Sequence, residues 1–199
     1  MIDIAFPLAA SHREQAGLIY YEAFRRKLQP LVGTPAKAIP LLTATLNLDM
    51  TMGALVDGAL LGVAGLHSRD GIYSHVVLRK SITAFGLARG LYAWVALNLF
   101  SIGAGCPAGE LRVAALAVDA AARGRGVGSR LLEAVFDKAR REDYRAVRLE
   151  VVDTNTGARR LYERLGFTVV KTHRYPLTRY WLGFSGDYVM VKECSVILV

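Results

Sequence analysis

Cysteine is scarce in this 199-residue chain: Cys106 and Cys194 are the two present. Two thiols are too few for a disulfide framework, and neither stands at metal-ligand spacing from the other or from His12, His67, His75 and His173. No metal site is expected, and free thiols point to a reducing, cytoplasmic setting. No secretory leader is expected either, because Met1-Ile2-Asp3-Ile4 has no basic stretch ahead of its apolar residues. Long uncharged runs are few. The most apolar stretch, 82 to 106, is broken by Arg89 and four glycines, and the 17 uncharged residues from Gly90 to Cys106 are at the short end of what crosses a bilayer. A buried or interface helix is expected there, and no membrane partner. No linker rich in Ser, Pro or Gly divides the chain and no internal repeat appears, so residues 1–199 read as one domain.

Acidic residues are also in short supply. There are 17 Asp plus Glu against 25 Lys plus Arg, a formal charge of +8, while apolar residues make up 53% and exclude a disordered chain. Such a balance favours an anionic partner: nucleic acid, a membrane surface or a phosphorylated small molecule. Nucleic acid is not expected, since no aromatic–basic platform or recognisable binding motif accompanies the charge. Half of the excess is local. Between Arg112 and Arg148 stand nine Lys/Arg and five acids.

Patterning sets out the elements. A short strand over Asp3–Leu8 precedes Ser11-His12-Arg13-Glu14, a capping-box sequence for a helix to about Leu28. Thr34-Pro35 opens a second helix to about Leu46. Two β-rich runs, Met50–Val56 and Leu60–His67, flank Asp57-Gly58, a hairpin signal. The stretch from Ile72 to Phe100 turns helical in its second half, with glycines blurring the rest. Then follow a strand Leu111–Val118, an amphipathic helix from Gly128 to about Glu142, a strand Ala146–Val152, a helix Asn155–Leu165 ended by Gly166, and strands Phe167–His173 and Tyr188–Lys192. A mixed-sheet α/β fold is predicted.

The segment richest in chemistry is Arg123-Gly124-Arg125-Gly126-Val127-Gly128-Ser129, between a predicted strand and a helix. Glycines let backbone N–H groups approach a ligand, and the helix N-terminus adds about half a positive charge. The start of a helix favours acids, yet Arg123, Arg125 and Arg130 stand here with no acid before Glu133, which argues for a bound anion such as a pyrophosphate. A glycine-rich turn beside a solvated basic face is the plainer reading. Gly128-Ser129-Arg130 lacks the lysine of a Walker loop. A dinucleotide fingerprint fits poorly, because Ser129 occupies its third glycine position and Asp119 to Arg123 separate it from the strand. Asp153 could stand in for its ribose-binding acid, so a nucleotide-dependent oxidoreductase remains an alternative.

Leu116-Ala117-Val118 followed by Arg123-x-x-Gly126-x-Gly128 resembles the acetyl-CoA signature of the GNAT acetyltransferases, and Asn155-x-x-Ala158-x-x-Leu161-Tyr162-x-x-x-Gly166-Phe167 resembles their later helix, in the same order. The motif core covers 111–167. This resemblance implies a mostly antiparallel central sheet flanked by helices and a direct transfer of acetyl from acetyl-CoA to an amine, either a small molecule or a peptide N-terminus or lysine. It assigns Arg123, Gly124, Arg125, Gly126, Val127, Gly128 and Ser129 to the pyrophosphate. Leu116, Ala117 and Val118, on a splayed strand, would take the pantetheine arm together with Asn155, which is otherwise an N-cap.

Tyr162 matches the family's general acid, and core packing is its plainer reading. Some members carry a glutamate near the position of Arg112, which leaves the base open. Glu150 is the first candidate, since Leu149-Glu150-Val151 resembles N-terminal acetyltransferases that modify ribosomal proteins, where this glutamate serves through water; Glu110 and His67 are reserves. An exposed strand position is the alternative for Glu150. The acceptor would meet Ser11–Leu46, Ile72–Cys106 and Tyr175–Asp187, the last carrying Tyr175, Tyr180, Trp181 and Phe184. A homodimer face and a CoA-binding sensor without turnover also stay open.

Overall fold

The Asp57-Gly58 pair makes the turn its sequence predicts, with φ of 50° and 79°. It joins β2 (Thr51–Val56) to β3 (Ala59–Ser68) in a structure, a computed structural model, that describes residues 1–74, 77–102, 106–175 and 179–194. β1 (Asp3–Ala5) pairs with β2, and the two-residue β4 (Gly71–Ile72) pairs with β3. β5 (Glu110–Val118), β6 (Ala146–Val152), β7 (Thr168–Arg174) and β8 (Gly186–Glu193) complete an eight-stranded sheet in the order β1-β2-β3-β5-β6-β8-β7. Among the described strands, β5 and β6 make the one parallel pair, so the sheet is mixed and mostly antiparallel.

Helices cover both faces. α5 (Val127–Arg141) lays Leu131, Leu132, Val135 and Phe136 against Leu66, Leu111, Val147, Leu149 and Met190. α6 (Thr156–Arg164) adds Tyr162 to that core. On the other face, α1 (Arg13–Val32) sets Ala16 and Ile19 against Leu60, Val63, Ala115 and Ala117. α1 runs four residues past the expected end because Leu28 and Val32 are buried with Ala38 and Leu42 of α2 (Pro35–Thr45). The capping box does not form. Ser11 lies in a 3₁₀ turn, Ala10–His12, and the helix start is fixed instead by the Arg13 guanidinium on the carbonyls of Thr43 (3.1 Å) and Leu46 (2.8 Å).

The apolar middle stretch becomes two helices, α3 (Leu78–Phe85) and α4 (Leu87–Ile102), parted at Gly86 with φ 81°. They cross closely at Gly90, where a Cβ would stand 2.5 Å from Ile82 Cα. Among the described residues no helix is long and apolar enough to cross a membrane. α4 buries Ala93 but exposes Leu87, Leu91, Tyr92 and Val95. Residues 103–105 of the apolar stretch lie outside the described residues, and a short α7 (Arg179–Leu182) precedes β8.

A bulge decides which side chains face the functional side. Between β3 and β5, Gly65 pairs with Ala115 and Leu66 with Val113, so Ala114 is the extra residue. Before it, Leu111 and Val113 point to the α5 core, and Glu110 and Arg112 to the α1 face. After it the parity reverses, with Ala115 and Ala117 on the α1 side.

Burial also makes the fold alkali-sensitive. It pushes the Tyr162 phenol up to about 12, and burial together with the Tyr20 phenol pushes Tyr73 well above the usual tyrosine range. These groups stay protonated in the folded state while the unfolded chain ionises near pH 10, so their stabilisation is complete below pH 10 and is lost as pH climbs toward 12. For Tyr162 alone the loss is roughly 2–3 kcal/mol. Urea midpoints at pH 8, 9.5 and 11 should fall at the last of these; a midpoint that holds at pH 11 contradicts the burial of these phenols.

Candidate active site

β5 and β6 pair from Glu110↔Ala146 to Val113↔Leu149 and then part. From Ala114 to Val118, β5 keeps its bonding to β3 while its β6 side carries no strand. An open backbone edge at the middle of a sheet leaves N–H and C=O groups for a ligand that can lie extended along it. Leu116 and Val118 are half-buried beside this gap, and Ala117 is buried on the α1 side.

The glycine loop closes the end of that edge. A 3₁₀ turn (Ala120–Ala122), capped by the Asp119 carboxylate accepting from Ala121 N–H at 2.8 Å, leads into the loop. Gly124 and Gly126 take φ of 75° and 82°, and Gly126 is the N-cap of α5. The first helical bond runs from Arg130 N–H to the Gly126 carbonyl at 3.0 Å, so the N–H groups of Val127, Gly128 and Ser129 have no acceptor within the helix. A Cβ on Gly128 would meet Leu161 at 3.4 Å, Val118 at 3.8 Å and Leu116 at 4.0 Å. Both sequence blocks thus converge on one helix end. Arg123 and Arg125 are exposed at the loop, Arg123 Nε reaching the Val118 carbonyl at 3.4 Å, whereas Arg130 is engaged by Glu133 at 3.3 Å.

The open edge, the left-handed glycines and the uncapped N–H groups suit an extended arm that leads into a pyrophosphate, as the pantetheine arm of acetyl-CoA does. Asn155 Oδ1 accepts from Ala158 N–H at 3.2 Å, the cap that its plainer reading foresees, and the amide nitrogen of this exposed side chain is left to donate. Asp153 is taken up otherwise: both carboxylate oxygens accept from Ser185 N–H, at 3.3 and 3.1 Å. That engagement, with a single parallel strand pair, removes the basis of the dinucleotide reading.

Tyr162 and Glu150 lie on opposite faces of the sheet near the gap. Tyr162 is 7% exposed against Phe167, ring centroids 5.9 Å apart, and its hydroxyl has no hydrogen-bond partner among the described residues. Glu150 alternates with buried Leu149 and Val151, which puts it on the α1 face. Its Oε2 accepts from Arg112 Nη2 at 3.1 Å, and Arg112 Nη1 is 3.5 Å from His67 Nδ1. Burial, then the Arg112 charge, lowers His67 to about 4, so its imidazole is neutral at physiological pH.

Glu110 is a poor base. It is 6% exposed and accepts from Arg145 (2.9 Å) and Arg148 (2.5 Å). Burial raises its carboxyl pKa, but those two guanidiniums outweigh burial and hold it below the usual range. In the segment expected to meet the acceptor, Tyr175 has its phenol raised by burial and then by Asp187; the sequence did not point to the pairing of His173 Nδ1 with Asp187 Oδ1 at 2.9 Å beside it. Tyr180 is exposed and Phe184 buried, while the Trp181 side chain and residues 176–178 lie outside the described ones. Among the described residues no cluster of three or more His, Cys, Asp or Glu could hold a metal ion; His75 is outside them.

Comparison with known proteins agrees with this geometry. N-alpha-acetyltransferase 30 of Saccharomyces cerevisiae is 36% identical over 85 residues, 40% of this chain and 46% of that protein, so the match spans under half of that relative's length. The Corynebacterium glutamicum structure described as histone acetyltransferase HPA2 and related acetyltransferase superposes with a TM-score of 0.67 at 21% identity, covering 100% of this chain and 99% of that one. The structure of yncA from Salmonella typhimurium with its cofactor acetyl-CoA superposes at 0.62 and 15% identity, covering 100% and 97%. These two likenesses are of fold. A model of the acetyltransferase (GNAT) family matches residues 20–167, and the chain belongs to that family.

Proposed function

We propose that residues 1–199 act as one acetyl-CoA-dependent N-acetyltransferase unit. The observation that carries this reading is the parting of β5 from β6 beyond Val113 and Leu149, closed at its end by the glycine loop and the N-terminus of α5. Bound acetyl-CoA supplies an acetyl group activated as a thioester. The backbone from Arg123 to Ser129 holds the pyrophosphate, with Arg123 and Arg125 adding charge. The free edge at Leu116, Ala117 and Val118 pairs with the pantetheine amides, and the Asn155 amide donates to it.

Tyr162 and Glu150 divide the proton work across the gap. Glu150, on the α1 face, takes the proton of the incoming amine through water; Tyr162, on the α5 face, gives its Oη proton to the departing sulfur. A phenol at about 12 is protonated at every working pH, which suits an acid. The likeness to an N-alpha-acetyltransferase favours a peptide N-terminus as the acceptor over a small amine or a lysine. Free Cys106 and Cys194 support a cytoplasmic setting, and the exposed apolar residues of α4 support a homodimer.

The test is a turnover screen with acetyl-CoA over peptides with free N-termini, lysine peptides and small amines, reading released thiol. Peptide N-termini should turn over fastest, and Glu150→Gln should lower kcat about 100-fold, within the range for a lost general base. Turnover of small amines alone rejects the peptide acceptor. Acetyl-CoA binding without turnover of any amine class returns the chain to a sensor.

A further inference from the structure

Arg112 is an unusual residue for its place. It sits in β5 between Leu111 and Val113, its side chain 7% exposed, at the centre of the sheet. A guanidinium taken out of water is costly unless an anion and good geometry compensate it. The register explains its position. Arg112↔Arg148 and Val113↔Leu149 are the last two parallel pairs before β5 and β6 part, and Glu150 is the first residue of β6 without a β5 partner.

Arg112 reaches across that throat and holds Glu150 Oε2 at 3.1 Å. The nearby Glu110 is engaged instead by Arg145 and Arg148. His67, in register with Arg112 on β3, lies at the other end of the same guanidinium with Nδ1 3.5 Å from Nη1. The three side chains form a row over β3, β5 and β6 on the α1 face, with Glu150 at the lip of the gap.

We infer that Arg112 is a positioning residue, which fixes the Glu150 carboxylate at the throat of the β5–β6 gap so that the oxygen it leaves free faces the amine acceptor. The inference rests on the proposed role of Glu150. Without Arg112, that carboxylate loses its ion pair and is freer to swing among its rotamers. Arg112 thus acts on the reaction only through Glu150.

A double-mutant cycle reads this directly. Arg112→Gln, Glu150→Gln, the pair, and Arg112→Lys are compared in acetyl-CoA turnover on a pool of synthetic peptides with free N-termini. Arg112→Gln should lower kcat about tenfold with the KM for acetyl-CoA within twofold. The pair should be no slower than Glu150→Gln alone, and Arg112→Lys should recover part of the loss. Losses that multiply in the pair overturn the inference, as does a normal rate for Arg112→Gln beside a slow Glu150→Gln. A normal rate for Glu150→Gln overturns it too, while leaving the acetyltransferase reading intact. A crystal structure of Arg112→Gln decides the question without turnover: a displaced Glu150 carboxylate supports the clamp, and one held in place refutes it.

Discussion

Gly126→Glu is expected to abolish acetyl-CoA binding in a protein that still folds. Gly126 has φ of 82°, and a Cβ built there meets nothing within 4 Å. The fold therefore bears only the left-handed backbone penalty, about 1–2 kcal/mol, against a typical domain stability of about 5–15 kcal/mol. The ligand bears far more. Gly126 caps α5, so the new carboxylate sits where the N–H groups of Val127, Gly128 and Ser129, without an acceptor in the helix, and the helix dipole favour an anion, the place proposed for the pyrophosphate. A loss of about 100-fold or more in affinity follows, equivalent to roughly 3 kcal/mol. Calorimetric titration with acetyl-CoA measures it, and a urea midpoint checks the fold. Gly126→Ala carries the same backbone penalty without the charge and should keep affinity within about tenfold. Unchanged affinity in Gly126→Glu would sink the loop assignment; an equal loss in both variants would leave the backbone, and not the charge, responsible.

The C-terminal half was legible because local signals bound each of its elements. β6 follows its alternation over Ala146–Val152, α6 starts at its Asn155 cap, and Gly166 ends that unit with φ 87°. The N-terminal half answers to tertiary contacts that no window of sequence contains. Arg13 binds the end of α2 thirty and thirty-three positions away, which overrides the capping box at Ser11. Gly90, one of the glycines that blur the apolar stretch in sequence, is the point where α4 crosses the backbone of α3.

The candidate site divides in the same way. Its loop is one contiguous segment, and helix and strand propensities place it. The Arg112–Glu150 pair spans 38 positions and the Arg112–His67 contact 45, and both depend on which face the bulge at Ala114 turns outward. A signal was present. Arg112 lies between Leu111 and Val113 in β5, and Arg148 and Glu150 alternate with Val147, Leu149 and Val151 in β6, so a cation inside one apolar alternation faces a carboxylate in the next. Burial costs make such charges meet a partner, and pairing them with each other was the missing step.

Tyr162→Phe is expected to slow turnover on the order of 100-fold with little change in stability or in the KM for acetyl-CoA, the lower end of what a general acid contributes. The ring is what the core uses. It is 7% exposed and rests against Phe167, and phenylalanine keeps that contact. Burial alone raises the phenol, with no hydrogen bond contributing, so removing the hydroxyl strands no partner among the described residues. A structural role therefore predicts a null result in kinetics, and an acid role predicts a loss in kcat alone. Binding of acetyl-CoA should survive because the loop and the open β5 edge are untouched. With the phenol at about 12, it stays protonated up to pH 10, so wild-type kcat should show no alkaline fall from this group in that range. Rates with peptide N-termini between pH 6 and 10, for both proteins, test the two statements together. A Tyr162→Phe rate within twofold of wild type assigns the residue to packing and leaves the thiolate to take its proton from water.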